Sequence, residues 1–258
     1  CGGYYTGQFV APWLDIPPTG HLIHLRFHEF YRFDGEKLIE VQCLWDLPEL
    51  MLQAGVWPLA PALGREWHVP APASQDGLVL GPYDAKASKE SCNLIIDALT
   101  AMNKYPSQGG PEVMEMPRFW YPKFNWYGPS GIGSARGVKA FRNWHQIPFL
   151  AAMPDRGLYP DEIKPHFFAD GAYTAVTGWP NITQTVSHPG LLGIAPPNTK
   201  VTLRSLDFWR VEAGKIRENW VLVDLLHLYQ QIEVDALARM REFNKARIGF
   251  DPITGRAS

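Results

Sequence analysis

The alternation of hydrophobic and polar positions is clearest over residues 196–232. A strand is predicted first, because every second residue shares a face of a strand. One face carries Val201, Leu203, Ser205, Asp207 and Trp209. A turn at Ala213-Gly214 leads to a second strand, Lys215–Val223, and Asp224 is a suitable N-cap for a helix with leucines at helical spacing.

The same pattern occurs earlier, over residues 17–53, at an offset of 178 and without gaps. Between Leu25 and Gln53 the two segments share 11 identical residues in 29 positions, where chance would give roughly two. We interpret this as an internal duplication. Its long period predicts a repeated domain rather than a stacked solenoid unit.

Composition narrows the class of protein. The chain has 258 residues, 46% of them hydrophobic and 19% charged, which is enough for two globular domains. The formal net charge is −2 and there is no lysine or arginine run, so we expect no nucleic-acid partner. No apolar stretch approaches the length of a membrane span. The three cysteines have no metal or disulfide spacing, which favours a reducing, cytoplasmic location, although the chain begins at Cys1 rather than at a methionine.

Three regions are predicted along the chain. Residues 1–55 hold strands and a short helix, residues 56–83 form a proline-rich linker, and residues 84–248 form a complete α+β domain. We expect helices over 88–105 and 137–152, a strand over 116–127, a hairpin around Asp170-Gly171, and a final helix from Asp224 to about Lys245. The first region lacks a counterpart of residues 84–170, so its sheet edge would need covering.

A glycine loop, GPSGIGSARG at 128–137, precedes the helix AFRNWHQIPFLAAMPD. The loop lacks the Lys-Ser/Thr pair of a phosphate loop, which disfavours a nucleotide site. Together with GIAPPN, LRSLDFWRV and GKIRENWVLVDLLHLYQQ, these segments resemble the SnoaL-like polyketide cyclase/ester cyclase family of the NTF2-like superfamily. The resemblance covers residues 84–245, and residues 1–55 resemble the C-terminal half of a second copy. It implies a cone in which a curved antiparallel sheet wraps helices around a deep pocket.

The resemblance also implies where chemistry would lie. The cyclases of the family pair an aspartate on the last strand with a histidine on the preceding strand. The aspartate position falls on Val221 and Cys43 here, and the histidine position falls on Asp207 and Glu29. Neither copy keeps the pair, so the usual intramolecular aldol cyclisation is not expected.

Asp207 is the first candidate for catalysis, since a carboxylate in an aromatic-walled pocket acquires a raised pKa and can act as acid or base. The alternative is an ion pair with Arg217 or Arg156. His188 is the candidate partner of Asp207, or else a loop histidine bonded to backbone. Substrate-binding candidates are Trp126, His145, Trp209, Asn219 and Tyr121, of which the aromatic residues could equally be core.

No metal is expected. His24 and His28 have strand spacing, but Glu29 points to the opposite face, so the three do not form a ligand set. Two functions stay open. The first is a cofactor-independent cyclase, isomerase or hydrolase acting on a small hydrophobic, polyketide-like molecule. The second is a non-catalytic binding or assembly protein whose repeats form a pseudo-dimer, with homo-oligomerisation as a further alternative.

Overall fold

The first region is a small sheet with one helix. The computed structural model describes residues 1–190 and 193–245. Its first three strands form an antiparallel sheet in the order β1-β2-β3, and α1 follows directly: β1 is Gly2–Gln8, β2 Leu22–Asp34, β3 Lys37–Trp45 and α1 Leu47–Gln53. Asp46 caps α1 by accepting a hydrogen bond from the Glu49 amide.

The second region begins with helices and two strands. After α2 the chain forms a 3₁₀ turn (Pro111–Met114), the short helix α3, and strands β4 and β5. These are followed by α4 and a π-helical segment: α2 is Ala85–Met102, α3 Met116–Phe119, β4 Trp120–Tyr127, β5 Ala135–Arg136, α4 Gly137–Phe141 and the π-helical segment Arg142–Leu150. Pro148 lies inside the π-helical segment, where its missing N–H removes one donor of the regular helix.

The remaining strands complete two sheets. After a 3₁₀ turn at Pro160–Glu162 come β6 His166–Asp170, β7 Tyr173–Thr177, β8 Ile182–Val186, β9 Thr199–Leu203, β10 Ser205–Glu212 and β11 Lys215–Val223, then α5 Leu225–Gln231 and α6 Ala236–Lys245. The large sheet has the order β5-β4-β11-β10-β7-β6, and β8 pairs with β9. The β4–β11 pair is parallel and the other pairs are antiparallel.

The α+β class is confirmed, with a curved sheet packed on helices. Irregular register at Arg210/Val211 and at Ile216/Glu218 accompanies this curvature. One hydrophobic core joins α2, α4, the π-helical segment and α5 to the inner face of the sheet. Its largest fully buried side chains include Trp209, Tyr229, Phe124 and Phe141.

Several predicted boundaries were wrong. The strand predicted over 116–127 begins only at Trp120, because Met116–Phe119 forms the helix α3. Helix α2 begins at Ala85 because Asp84, not Ser88, caps it. The strand predicted through Val201–Trp209 is interrupted at Arg204, so that β9 joins β8 while β10 joins the large sheet. The final helix is broken between α5 and α6, where Glu233 adopts a left-handed φ of 61°. The predicted second domain, 84–248, ends in residues that lie outside the described part of the chain.

The two segments related by the offset of 178 have the same local structure. Strands β3 and β11 have corresponding bounds, as do α1 and α5, and the register irregularity at Arg32/Phe33 corresponds to that at Arg210/Val211. Gln53 bonds both backbone groups of His24, and Gln231 does the same at Thr202. The common origin of the two segments stays a prediction.

The two domains contact each other through equivalent positions. The rings of Phe30 and Phe208, which are 178 apart in sequence, stack with their centroids 5.3 Å apart. His28 Nδ1 donates to the carbonyl oxygen of Leu206, its own equivalent, at 2.5 Å. Contacts between equivalent residues are characteristic of a two-fold interface. The two segments that share the sequence pattern therefore contact each other through residues at equivalent positions.

The linker is docked along both domains, and the Val69 amide donates to Tyr4 Oη of the first domain at 2.7 Å. The Gly64 amide donates to Ile132 O at 3.0 Å, and Trp220 Nε1 donates to Pro70 O at 3.0 Å. Gly64 crosses Gly133 so closely that a Cβ on Gly133 would lie 2.5 Å from the Gly64 carbonyl carbon, and Gly133 also has a φ of +80°. Only glycine fits this crossing. Helix α6 returns to the first domain, where Met240 is fully buried in the core of that domain.

Candidate functional site

The core of the second domain contains a partly open cavity of about 80 Å³. It lies between the inner face of β4, β10 and β11 and the helical layer of α2, α4 and the π-helical segment. Most of its wall is apolar and aromatic. The polar side chains on the wall are His145, Arg156, Gln184, Ser205, Asp207 and Asn219.

Asp207 is the carboxylate of the cavity. It lies on β10 opposite Val221 of β11 and Val176 of β7. Its neighbour on the same face, Ser205, donates a hydrogen bond from Oγ to Asp207 Oδ1 at 2.5 Å. Burial raises the pKa of Asp207 to about 7, although the Ser205 hydrogen bond and the positive charge of Arg156 both act to lower it. The side chain keeps some accessible surface and lines the cavity.

Arg156 supplies a cation on the same wall. Its Nη1 is buried and has no hydrogen-bond partner. Burial lowers the pKa of Arg156 to about 10, and the charge of Asp207 acts in the opposite direction. Nevertheless, among the described residues the ion pairs within 4.0 Å do not include one between Arg156 and a carboxylate. The two charges therefore attract each other without contact.

Three further polar groups on the wall lack partners. His145 Nδ1, Gln184 Oε1 and Trp120 Nε1 are buried without a hydrogen bond. Burial lowers the pKa of His145 to about 3, with the charge of Arg156 acting in the same direction, so the imidazole is neutral near pH 7. It is stacked on Trp126 at 4.1 Å between ring centroids. Since buried polar atoms are normally paired, these groups indicate that the cavity holds water or a polar ligand.

Five of the predicted site residues lie on this wall, namely Asp207, Trp126, His145, Trp209 and Asn219. Asn219 Nδ2 donates to Phe208 O at 3.0 Å, so one donor of its side-chain amide already bonds the backbone of β10. His188 and Tyr121 are not on the cavity wall. His188 is exposed and its Nδ1 lies 2.9 Å from Ser187 Oγ, while Tyr121 stacks under the guanidinium of Arg217. Arg217 reaches Lys123 O, so it is not the counter-ion of Asp207.

Several residues of the cavity wall were not predicted as site residues from the sequence. Ser205 was placed on the correct face but given no role, and Gln184 and Trp120 were not considered. Arg156 was considered only as an ion-pair partner. Alternation along β8 and β4 could have indicated Gln184 and Trp120, but Arg156 lies in a loop that has no periodic signal.

The first domain has no equivalent enclosed site. The positions that correspond to Trp209, Asn219 and Val223 of the cavity are Tyr31, Val41 and Trp45, and all three are exposed. Glu29, the equivalent of Asp207, accepts hydrogen bonds from Tyr31, Trp45 and Tyr5. Burial acts to raise the pKa of Glu29, but these donors outweigh it and the pKa is lowered.

A second polar cluster lies between the two domains. The Arg26 guanidinium contacts Asp46 Oδ2 at 3.2 Å and donates to the carbonyls of Tyr127, Gly128 and Val221 in the second domain. Asp46 also accepts from the Ser130 amide at 2.9 Å. The cluster thus clamps the glycine loop 128–133 to the first domain.

Two glutamates complete this interdomain cluster. Glu49 accepts from the Arg26 amide at 2.7 Å and lies 3.4 Å from His24 Nε2, while Glu66 accepts from the Gly131 amide at 2.8 Å. Burial, together with the charge of Asp46, raises the pKa of Glu49 to about 8. His24 therefore lies beside a glutamate of this cluster and His28 lies against Leu206. Within residues 1–190 and 193–245 there is no group of three histidine, cysteine or acidic side chains suited to a metal ion.

The fold and site together define an α+β domain whose curved sheet and helical layer enclose a cavity with one buried carboxylate. Residues 110–232 match the family model described as SnoaL-like polyketide cyclase. The predicted resemblance to this family is therefore confirmed for the second domain. None of the curated proteins matches the chain.

Two solved structures are similar to part of the chain. An NTF2-like protein from Burkholderia xenovorans LB400 is 19% identical, with 56% of this chain and 97% of that chain covered and a TM-score of 0.40. A candidate SnoaL-like polyketide cyclase from Jannaschia sp. CCS1 is 15% identical, with 59% and 97% covered and a TM-score of 0.46. None of the helices in the described part of the chain is long and apolar enough to cross a membrane.

Proposed function

We propose that the second domain is a cofactor-independent enzyme that moves protons on a small hydrophobic molecule bound in the cavity, as a cyclase, isomerase or hydrolase. The observation that carries this proposal is Asp207. A carboxyl with a pKa of about 7 on the wall of an apolar cavity can take up and release a proton near neutral pH. The SnoaL-like match of residues 110–232 supports the same class of chemistry.

The cavity residues divide into acid/base and binding roles. Asp207 is the acid/base group, and Ser205 orients its carboxylate through the hydrogen bond to Oδ1. Trp126 and Trp209 shape the apolar walls, and the neutral His145 offers one unpaired ring nitrogen to a ligand. His188 is too exposed to act with Asp207, so this proposal assigns no role to it.

We expect Asp207→Asn to lower turnover at least a hundredfold, since general acid–base catalysis contributes about 10²–10⁴-fold. The substrate panel contains a small enolisable ketone, an ester and an epoxide, each followed by NMR. The matched control is Asp170→Asn, at the exit of β6 and outside the cavity wall. Equal turnover by Asp207→Asn and the parent protein on every active substrate would remove Asp207 from the mechanism.

A second candidate function is binding or assembly without catalysis. Two observations favour it: the cavity is smaller than the roughly 300–1,000 Å³ of most ligand sites, and the two domains pack through equivalent residues like a dimer. In this case the chain would act as a pseudo-dimer in the cytoplasm, or as part of a homo-oligomer. Binding of the panel compounds without turnover would favour this candidate.

A further inference from the structure

A carboxylate of the first domain is surrounded by the polar edges of three aromatic rings. Glu29 is only 4% exposed, and it accepts hydrogen bonds from Tyr5 Oη at 2.8 Å, from Trp45 Nε1 at 3.1 Å and from Tyr31 Oη. Burial acts to raise the pKa of Glu29, but these hydrogen bonds outweigh it and lower the pKa, so the carboxylate is ionised near pH 7. Three ring donors thus hold one negative charge below an aromatic surface.

The rings themselves lie at the surface of the first domain. Tyr5, Tyr31 and Trp45 are 41–47% exposed, and Trp13 packs on Trp45 with the ring centroids 5.8 Å apart. The planes of Tyr5 and Trp45 stand at 83° to each other, with their centroids 6.1 Å apart. These nearly perpendicular rings form a corner, here called the aromatic corner, which a small ligand can contact from more than one side.

The charge of Glu29 is not paired with a basic side chain. The ion pairs within 4.0 Å among residues 1–190 and 193–245 do not include Glu29. The terminal ammonium of Cys1 adds a positive charge nearby, but it donates to the backbone carbonyl of Glu29, at 2.6 Å, rather than to the carboxylate. By contrast, the charge of Arg156 acts on Asp207, the equivalent carboxylate of the second domain. A ligand can therefore supply the positive partner that Glu29 lacks.

We propose that the aromatic corner over Glu29 binds a small organic cation, namely a free quaternary ammonium compound of the choline type. Cations are attracted to the faces of tryptophan and tyrosine rings, and the negative charge of Glu29 below the rings adds to this attraction. A primary ammonium has three N–H donors to satisfy, whereas the Glu29 oxygens are covered and already accept three hydrogen bonds. A quaternary ammonium donates none, so it matches this surface. The site lies in the first domain and does not depend on the function proposed for the cavity.

The test compares choline with 3,3-dimethylbutan-1-ol, which has the same shape but carries no charge. Titrations of the full chain at pH 7, followed by saturation-transfer NMR on the methyl protons of each ligand, give the two dissociation constants. We expect choline to bind about tenfold more tightly than the neutral alcohol. Equal affinities for the two compounds, or no binding of choline, would overturn the proposal.

A matched pair of variants tests the role of the Glu29 charge. Glu29→Gln keeps an acceptor oxygen for the ring donors but removes the charge, so the affinity for choline should fall about tenfold while the neutral alcohol binds as before. Glu40→Gln removes an exposed carboxylate from the opposite face of β3 and should leave choline binding unchanged. Equal losses in the two variants would mean that choline responds to surface charge in general, and the site would be refuted.

Two further variants test the rings and the location of the site. Trp45→Leu removes an exposed ring, so it should weaken choline binding about tenfold without lowering the urea midpoint of unfolding, and it serves as the test if Glu29→Gln proves unstable. Choline binding as tight as in the parent would show that the rings do not form the site. Asp207→Asn alters the cavity of the second domain and should bind choline normally. If Asp207→Asn loses choline binding, the cation occupies that cavity and the inference fails, whatever the effect of this variant on turnover.

Discussion

Arg26→Met is expected to destabilise the folded chain by about 3–5 kcal/mol, the range for removing one partner of a buried ion pair. Arg26 and Asp46 are almost fully buried, and Arg26 also serves three carbonyl groups of the second domain. Methionine would leave the Asp46 carboxylate without its counter-ion and these carbonyls without the guanidinium that donates to them. Urea unfolding followed by tryptophan fluorescence measures the effect.

The chain provides a matched control at the equivalent position of the second domain. Arg204 and Asp224 form the corresponding pair at 3.6 Å, but their side chains are 33% and 24% exposed and line an open surface groove. Arg204→Met should therefore cost less than about 1 kcal/mol. Similar losses for Arg26→Met and Arg204→Met would show that the interdomain position of Arg26 has no special effect on stability.

Glu49→Gln is expected to remove a pH dependence of stability on the order of 3 kcal/mol. The native pKa of Glu49 is raised from 4.5 to about 8, by burial first and then by the charge of Asp46. Below pH 4.5 the side chain is protonated in both folded and unfolded chains. As pH rises towards 8 the unfolded chain releases this proton while the folded chain keeps it, so stability falls.

A comparison of the parent protein with Glu49→Gln isolates the contribution of Glu49 to the pH dependence of stability. Glutamine stays neutral at every pH, so Glu49→Gln should lack the decline between pH 4.5 and 8, while Asp46, Glu66, Arg26 and His24 of the same cluster are unchanged. Glu90→Gln on the exposed side of α2 is the surface control. If urea unfolding at several pH values gave parallel curves for the parent and Glu49→Gln, Glu49 would not carry a raised pKa.

The sequence predicted which strand residues lie on the inner face of the second domain, because strand alternation is a local signal. Residues Leu203, Ser205, Asp207 and Trp209 do share the cavity wall, as the period of two predicted, even though the strand is interrupted at Arg204. The family resemblance supplied the layer arrangement, which no local pattern contains. A helix was predicted over 88–105, but α2 begins at Ala85 because Asp84 is its N-cap.

The remaining parts depend on contacts between distant residues. Arg156 reaches the cavity wall from an irregular loop, and its Nη1 is buried without a hydrogen-bond partner. No pattern of residue types reports an unpaired atom. The clamp between Arg26 and the glycine loop joins positions about a hundred residues apart. The sequence related this loop to the family resemblance and to a poor phosphate site, but no local pattern indicates a contact with Arg26.

The glycine loop gives the cavity one stiff wall. Ile132 lines the cavity, whereas the amides of Ser130 and Gly131 in the same loop are held by Asp46 and Glu66 of the first domain and its linker. A ligand that pushed Ile132 outwards would have to break these hydrogen bonds to the carboxylates of Asp46 and Glu66. Expansion of the cavity for a larger ligand therefore costs least on the opposite side, where the π-helical segment carries His145 and Phe149. The first domain thus supports one wall of the cavity although none of its residues lines it.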